Sequence, residues 1–298
     1  RNERTKPGEP PKLEVPTVES FTLSNGLQVY FLPETTLPVA RAWLDFDLGS
    51  ARDPKGKSGM HSMCFDLIDE GTKALDKSAW RAALDDEALS VWAGSGRDES
   101  TFGAQSLASR FPAALGRMRE LIDAPGLRKK DLERIRTQRI QGLAQSRATN
   151  SSVAWRLTAP LFYGSDHPYG HLADEKSLAK VSVKDCARLA KSLGPKGARL
   201  FVSAKLSRGE VEKQLEAALG SWKGKAPAAK AVPAPKTTTG VFYFVDIPDS
   251  VQSTVAVVAS GPKRQAEDYA ATAIMMRILG GGFSSRINMN LREDKGYS

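Results

Sequence analysis

Apolar positions along this chain recur with two different periods, and the switches between them mark out elements. From Leu27, after the turn Ser-Asn-Gly, the run LQVYFL predicts a strand. Over 41–48, Ala42, Leu44, Phe46 and Leu48 alternate with Arg41, Trp43, Asp45 and Asp47, the period-two pattern of a half-buried strand. The period then lengthens. Met60, Met63, Cys64, Leu67 and Ile68 fall at helical spacing, with Ser62, Asp66 and Asp69 on the opposite face and Gly71 as the stop. Similar spacing predicts helices over 78–89, with Ser78 as N-cap, and over 109–122, 128–147 and 151–162. Ser182 and Ser207 each precede an acid by three residues, Asp185 and Glu210, and so read as capping boxes that open two more helices. Further strands are expected near 91–105 and at 198–204. Strands and helices mix without a regular βαβ alternation, which favours an α+β fold.

Beyond a Pro/Ala/Lys/Thr run the opening order recurs. VFYFVD, a Pro turn, VQSTVAVVAS and a helix over EDYAATAIMMRIL closed by Gly280, Gly281 and Gly282 parallel the 27–71 region. This predicts a duplicated domain: an extended arm over 1–18, a first domain over 19–224, a linker over 225–240, and the start of a second domain over 241–298. The three glycines close a helix instead of joining a strand to one, and no Gly-Lys-Ser/Thr follows, so they read as a helix stop and hinge, not a phosphate loop.

The chain has 298 residues, 41% of them hydrophobic and 26% charged, an ordinary globular balance without a run of apolar residues long enough to span a bilayer. Its net charge of +9 invites a nucleic-acid reading. That excess is concentrated in the 128–147 helix and the linker, with neither interleaved aromatics nor a helix-turn-helix pattern, so it argues for no nucleic-acid partner. Two cysteines, Cys64 and Cys186, far apart in sequence, read as neither a disulfide framework nor a cysteine zinc site.

Four stretches, FTLSNGLQVYFLPETTLPVARAWLDFDLGS, GMHSMCFDLIDEGT, LFYGSDHPYGH and ILGGGFSSRINMNLREDKGYS, occur in an order and spacing that resemble the pitrilysin/insulinase metallopeptidases, among them mitochondrial processing peptidase. The resemblance runs from about Phe21 to Ser298. It implies duplicated metallopeptidase-like domains, each a mainly antiparallel sheet packed against helices, the second incomplete in this chain.

Active members carry H-x-x-E-H on the helix before a Gly-Thr pair: two histidines one turn apart face one zinc ion, and the glutamate acts as base on the metal-bound water. Aligned on Gly59 and Gly71-Thr72, this chain has Ser62, Phe65 and Asp66 at those three places. The family's third ligand is a glutamate from a later helix, here the one over 128–147, yet from Arg134 through Ser165 there is no Asp or Glu. A makeshift site from His61, Cys64 and Asp66 is the weaker reading, because His61 is out of register and Cys64 lies on the apolar stripe. His167 and His171 sit in a loop, SDHPYGH, that zinc-bearing relatives use structurally.

The family's second domain supplies an Arg and a Tyr, seven residues apart, that reach the scissile carbonyl. Here the arginine is Arg292; the residue seven places on falls just past Ser298, and Tyr297 is the available substitute.

The resemblance thus implies a zinc-free, non-catalytic subunit of a heterodimeric peptidase, inactive alone. It would contribute chamber wall, peptide binding and Arg292 to a homologous partner that carries H-x-x-E-H and the zinc. The alternative is a scaffold or binding subunit of a larger complex without peptidase activity. Bacterial relatives are often exported, and the Pro-rich, processed-looking start fits a periplasmic protein, with a mitochondrial one as the alternative.

Overall fold

A computed structural model describes residues 8, 12, 15–235 and 240–298. The chain divides into two compact units, 1–254 and 255–298, each described by itself. Most of the arm expected over 1–18 and residues 236–239 of the expected linker lie outside the described residues.

The first unit is built on six strands. In chain order they are β1 (Glu19–Thr22), β2 (Gln28–Pro33), β3 (Val39–Phe46), β4 (Ser90–Ser95), β5 (Ser100–Leu107) and β6 (Arg199–Ala204), and they lie side by side as β1-β2-β6-β3-β5-β4. Every pairing is antiparallel except β2 with β6. The expected alternation in β3 is present: Ala40, Ala42, Leu44 and Phe46 are buried while Arg41 faces water. Apolar side chains on one sheet face therefore drive its covering by helices. On the other face Tyr30 stacks on Phe201, Thr101 donates to Asp45, and Arg199 pairs with Asp47.

Among the described residues of this unit are the α-helices α1 (Met60–Ile68), α2 (Lys77–Asp86), α3 (Phe111–Asp123), α4 (Lys129–Ser146), α5 (Asn150–Tyr163), α6 (Glu175–Ala179), α7 (Val183–Ser192) and α8 (Arg208–Leu219). Both predicted capping boxes form, with Ser182 and Ser207 accepting from the N–H groups of Asp185 and Glu210. The N-cap of α2 is Asp76 instead of Ser78. Its carboxylate accepts from the Ala79 N–H, and a charged acceptor at the positive end of a helix outcompetes a hydroxyl inside the first turn. The stretch expected as strand near 91–105 is a hairpin of β4 and β5, in which the indole of Trp92 crosses Gly103 so closely that any Cβ there would collide with it.

Cys64 and Cys186 form a disulfide, S–S 2.11 Å, contrary to the reading of their distance in sequence. Because the cost of closing a loop grows only logarithmically with its length, separation along the chain was a weak argument against pairing. Packing of α7 on α1 brings the two Cα atoms within 4.8 Å, and both side chains are fully buried.

The region expected as linker is not simply solvated. Ala226 N–H bonds Lys196 O, Arg52 donates to Ala228 O at 2.8 Å, and His167 reaches Pro233 O at 2.9 Å. Residues 226–235 thus run as an extended strap along the first unit.

The two strands expected over 241–246 and 251–260 are not formed, and their apolar side chains are exposed: Phe242 by 84% and Val251 by 98%. The sheet of the first unit supplies a physical reason. There β2 and β3 are not neighbours, because β6 runs between them. Two strands in that arrangement cannot satisfy each other's backbone groups, and no third strand is present among the described residues of 241–298. The second unit does contain the expected helix, α9 (Tyr269–Leu279), and a helical segment from Arg286 to Asp294 that is capped by Ser285.

The disulfide closes a long loop and should contribute about 2–5 kcal/mol. Replacing both Cys64 and Cys186 by alanine is expected to lower the urea midpoint accordingly, and refolding the wild type under reducing conditions should reproduce the same loss.

Candidate functional site

The site expected on α1 is positioned by that helix's burial. Met63, Cys64, Phe65, Leu67 and Ile68 have no solvent exposure, and Phe65 packs on Phe102 of β5 with ring centroids 5.6 Å apart. Gly59 starts the helix with φ +93°, and the Asp53 carboxylate accepts from the N–H groups of Gly59 (2.6 Å) and His61 (2.9 Å). The His61 ring donates Nδ1–H to the same carboxylate at 2.6 Å, so this histidine belongs to the helix cap. After α1 the chain turns at Gly71, φ +109°, where a Cβ would lie 2.7 Å from Leu75 O. Thr72 is fully buried, donating to Glu120 and accepting from Leu75 N–H. The Gly-Thr pair is therefore a turn that anchors the end of α1.

Each aligned zinc position can now be placed. Ser62 Oγ donates back to Gly59 O of its own helix. Phe65 is sealed in the core and has no proton to exchange. Asp66 lies at the surface and accepts from both Nε (3.0 Å) and Nη2 (2.6 Å) of Arg139 on α4. One turn further on, Glu70 is gripped by Arg134 of α4 and by Lys77 at 2.7 Å. Asp69 points between them, accepting from the Ala93 N–H of β4 and from Arg81. These three carboxylates and their partners, all but Arg81, line an open cavity of about 470 Å³ together with Ile135 and Gln138.

The electrostatics of the cavity follow from those partners. Burial acts to raise the Glu70 carboxyl, but Lys77 and Arg134 outweigh it and hold its pKa below the ordinary value. Asp69 goes the other way: burial is the larger influence, and its pKa is raised despite the Ala93 N–H and Arg81. A zinc ion does not fit this donor set. The two imidazoles are absent, the base is a buried phenyl ring, and α4 presents guanidinium groups where a ligating carboxylate would be needed. Among the described residues no group of three His, Cys, Asp or Glu is placed to hold a metal. The makeshift reading with His61 and Cys64 fails on bonding: the first is tied to Asp53 and the second to Cys186.

The basic charge of 128–147 is consumed in the same way. Arg128 donates to Thr72 O, Arg139 pairs with Asp66 of α1 and Arg134 with Glu70 just after it, Arg136 bonds Glu133 and the carbonyls of Leu178 and Val181, and Arg147 pairs with Glu175. Five of its seven cations are thus internal connectors.

His167 is also structural. Its Nδ1 accepts from the Tyr169 N–H, which leaves Nε2–H to donate to Pro233 O, and its ring stacks on Tyr163. Tyr169 donates to Asp98 beneath Arg97, and burial together with that carboxylate pushes its phenol up to about 12. His171 is exposed. In the second unit Arg292 lies over the Phe283 ring, 4.7 Å from its centroid, and 3.6 Å from Glu293; Tyr297 is exposed, and no hydrogen bond joins the two among the described residues. The Cys64–Cys186 bond and the Arg134 and Arg139 pairs are the features that sequence reasoning missed. The run of arginines without acids was the available signal for the latter.

Comparison with known proteins places this arrangement in a class. Residues 30–163 match the family Insulinase (Peptidase family M16), and residues 189–298 match Peptidase M16 inactive domain. The chain belongs to the M16, or insulinase, peptidase family. It is 25% identical over 267 residues to the non-peptidase homolog YmxG of Helicobacter pylori, covering 88% of this chain and 61% of that protein, so it spans about three fifths of the relative's length. The fold is that of a peptidase M16 inactive domain from Pseudomonas fluorescens, with TM-score 0.82 and 22% identity over 94% of this chain and 68% of that one. Pitrilysin superimposes with TM-score 0.62 and 18% identity, over 76% of this chain and 25% of its own. No helix among the described residues is long and apolar enough to cross a membrane.

Because the folded pKa of Glu70 is depressed, its contribution to stability is complete above the unfolded carboxyl value, near 4.5, and disappears as pH falls through the folded value. Glu70→Gln is expected to cost about 1–3 kcal/mol at pH 7, with the wild-type and variant denaturation curves converging in acid.

Proposed function

We propose that this chain is a non-catalytic, zinc-free subunit of a heterodimeric zinc peptidase. The observation that carries the reading is a retained cavity with a replaced donor set: the M16 fold still opens a 470 Å³ recess beside α1, while Ser62, Phe65 and Asp66 supply no metal chemistry. Next to it β4 is an edge strand of the sheet, and Ala93 of that strand lines the cavity. An unpaired strand edge is a ready acceptor for an extended peptide, which supports a role in peptide binding and as chamber wall. The curated relative's name, non-peptidase homolog, agrees with loss of hydrolysis. In the assembled pair Arg292 reaches the partner's active site and donates to the carbonyl oxygen as it gains charge, with Tyr297 as the available phenol. Zinc and H-x-x-E-H belong to that homologous partner. The disulfide favours an oxidising compartment, and we place the protein in the periplasm or another exported location.

One observation favours the scaffold reading: Arg292 already has local partners in Glu293 and Phe283, as a purely structural arginine would.

Purified alone, the protein is expected to bind substoichiometric zinc and to leave peptides uncut; combined with a zinc-bearing M16 subunit, it should yield an active pair. Arg292→Ala in this chain is expected to slow that pair by about 10²- to 10³-fold, the usual cost of losing one donor to a developing oxyanion. An unchanged rate removes Arg292 from the mechanism, and a stable complex without cleavage selects the scaffold.

A further inference from the structure

Two ion pairs tie α4 to α1 and to the turn that follows it. Asp66 stands on α1 and Glu70 four residues on, in the turn after the helix; Arg139 and Arg134 face them from α4 in reversed order, as an antiparallel approach of the two segments requires. Arg139 places two N–H donors on a single oxygen, Oδ2 of Asp66, and Oδ1 has no hydrogen bond among the described residues. With Asp69, three carboxylates of the α1 terminus gather at one cavity, and α4 meets them with guanidinium groups. Neighbouring carboxylates repel one another unless cations face them. Here each has a cation that is covalently part of the chain: Arg139 at Asp66, Arg81 at Asp69, and Arg134 with Lys77 at Glu70.

We propose that Arg139 is the resident cation at Asp66, standing in there for a divalent metal and holding α4 against α1 without one. The proposal rests on reading the chain as zinc-free, but not on any partner or on cleavage. The physical logic is substitution of one cation by another. A guanidinium carries a fixed charge and presents its donors in a plane suited to carboxylate oxygens, and, unlike a bound metal, it cannot be removed by a chelator. It also accounts for the donor set. A site whose charge is balanced by its own arginine has no use for imidazole, and Ser62 and Phe65 at the neighbouring positions are turned to helix bonding and core packing.

The test exchanges the internal cation for an external one. Arg139→Glu sets a carboxylate opposite Asp66 and is expected to lower the Tm by several degrees in EDTA, and zinc chloride should restore it. Wild-type Tm should not respond to zinc. Arg139→Met keeps the length and loses the charge; its Tm should fall less and show no zinc rescue. The swap Asp66→Arg with Arg139→Asp should recover most of the loss without metal. All four are read by thermal unfolding with and without zinc, and zinc content is measured after desalting. The proposal is overturned if Arg139→Glu is as stable as wild type in EDTA, if zinc raises all the variants alike, or if wild type retains stoichiometric zinc. It is also overturned if Arg139→Glu fails to fold even with zinc while Arg139→Met folds. Peptide cleavage enters none of these readings, so loss of the heterodimer model would leave them intact.

Discussion

The burial of α1 is the constraint from which the rest of the first unit follows. A nine-residue helix with seven buried side chains has almost no freedom to shift. Its apolar stripe is set against the sheet through Phe65 and Phe102, its start is held by the Asp53 carboxylate, and Cys64 ties it covalently to α7. Only one narrow face remains for solvent and for α4. What stands toward the end of that face, Asp66 and then Asp69 just past the helix, is presented at the same cavity with little room for adjustment. The fold thus preserves the geometry of a site whether or not the chemistry is present.

Ion pairing in that cavity replaces coordination. A metal would draw its ligands together through its own charge, whereas here charge is distributed over Arg139, which faces Asp66 of α1, and Arg134 and Lys77, which face Glu70 in the turn after it. This also disposes of the basic composition as a functional signal. A chain with net charge +9 suggests an anionic partner until most of the cations of its most basic helix are found facing carboxylates and backbone carbonyls of the same unit.

Much of the first unit was legible in advance because its signals are local. The period-two alternation of β3, the stripe of α1 and the Ser182 and Ser207 capping boxes depend only on residues a few places apart. Errors arose where an element is too short to carry a period or where its partner is missing or distant. β1 is a four-residue strand that exists by pairing with β2, and α6 is a single capped turn begun by Asp174; neither carries a periodic signal of its own. The segments 241–246 and 251–260 have strand-like composition but, among the described residues, no third strand to lie between them, so propensity alone did not make a sheet. The candidate site was readable as an absence, through Ser62, Phe65 and Asp66, while what occupies it was not.

By itself the sequence determined the element types of the first unit, the α+β class, the family resemblance and the loss of zinc donors, since each is written in spacing along one segment. Only the tertiary structure decided that Cys64 meets Cys186, that β6 separates β2 from β3, and that Arg139 and Arg134 face Asp66 and Glu70. These are pairings across dozens of residues or more. Their partners are selected by how helices and strands pack, and no local pattern records that choice.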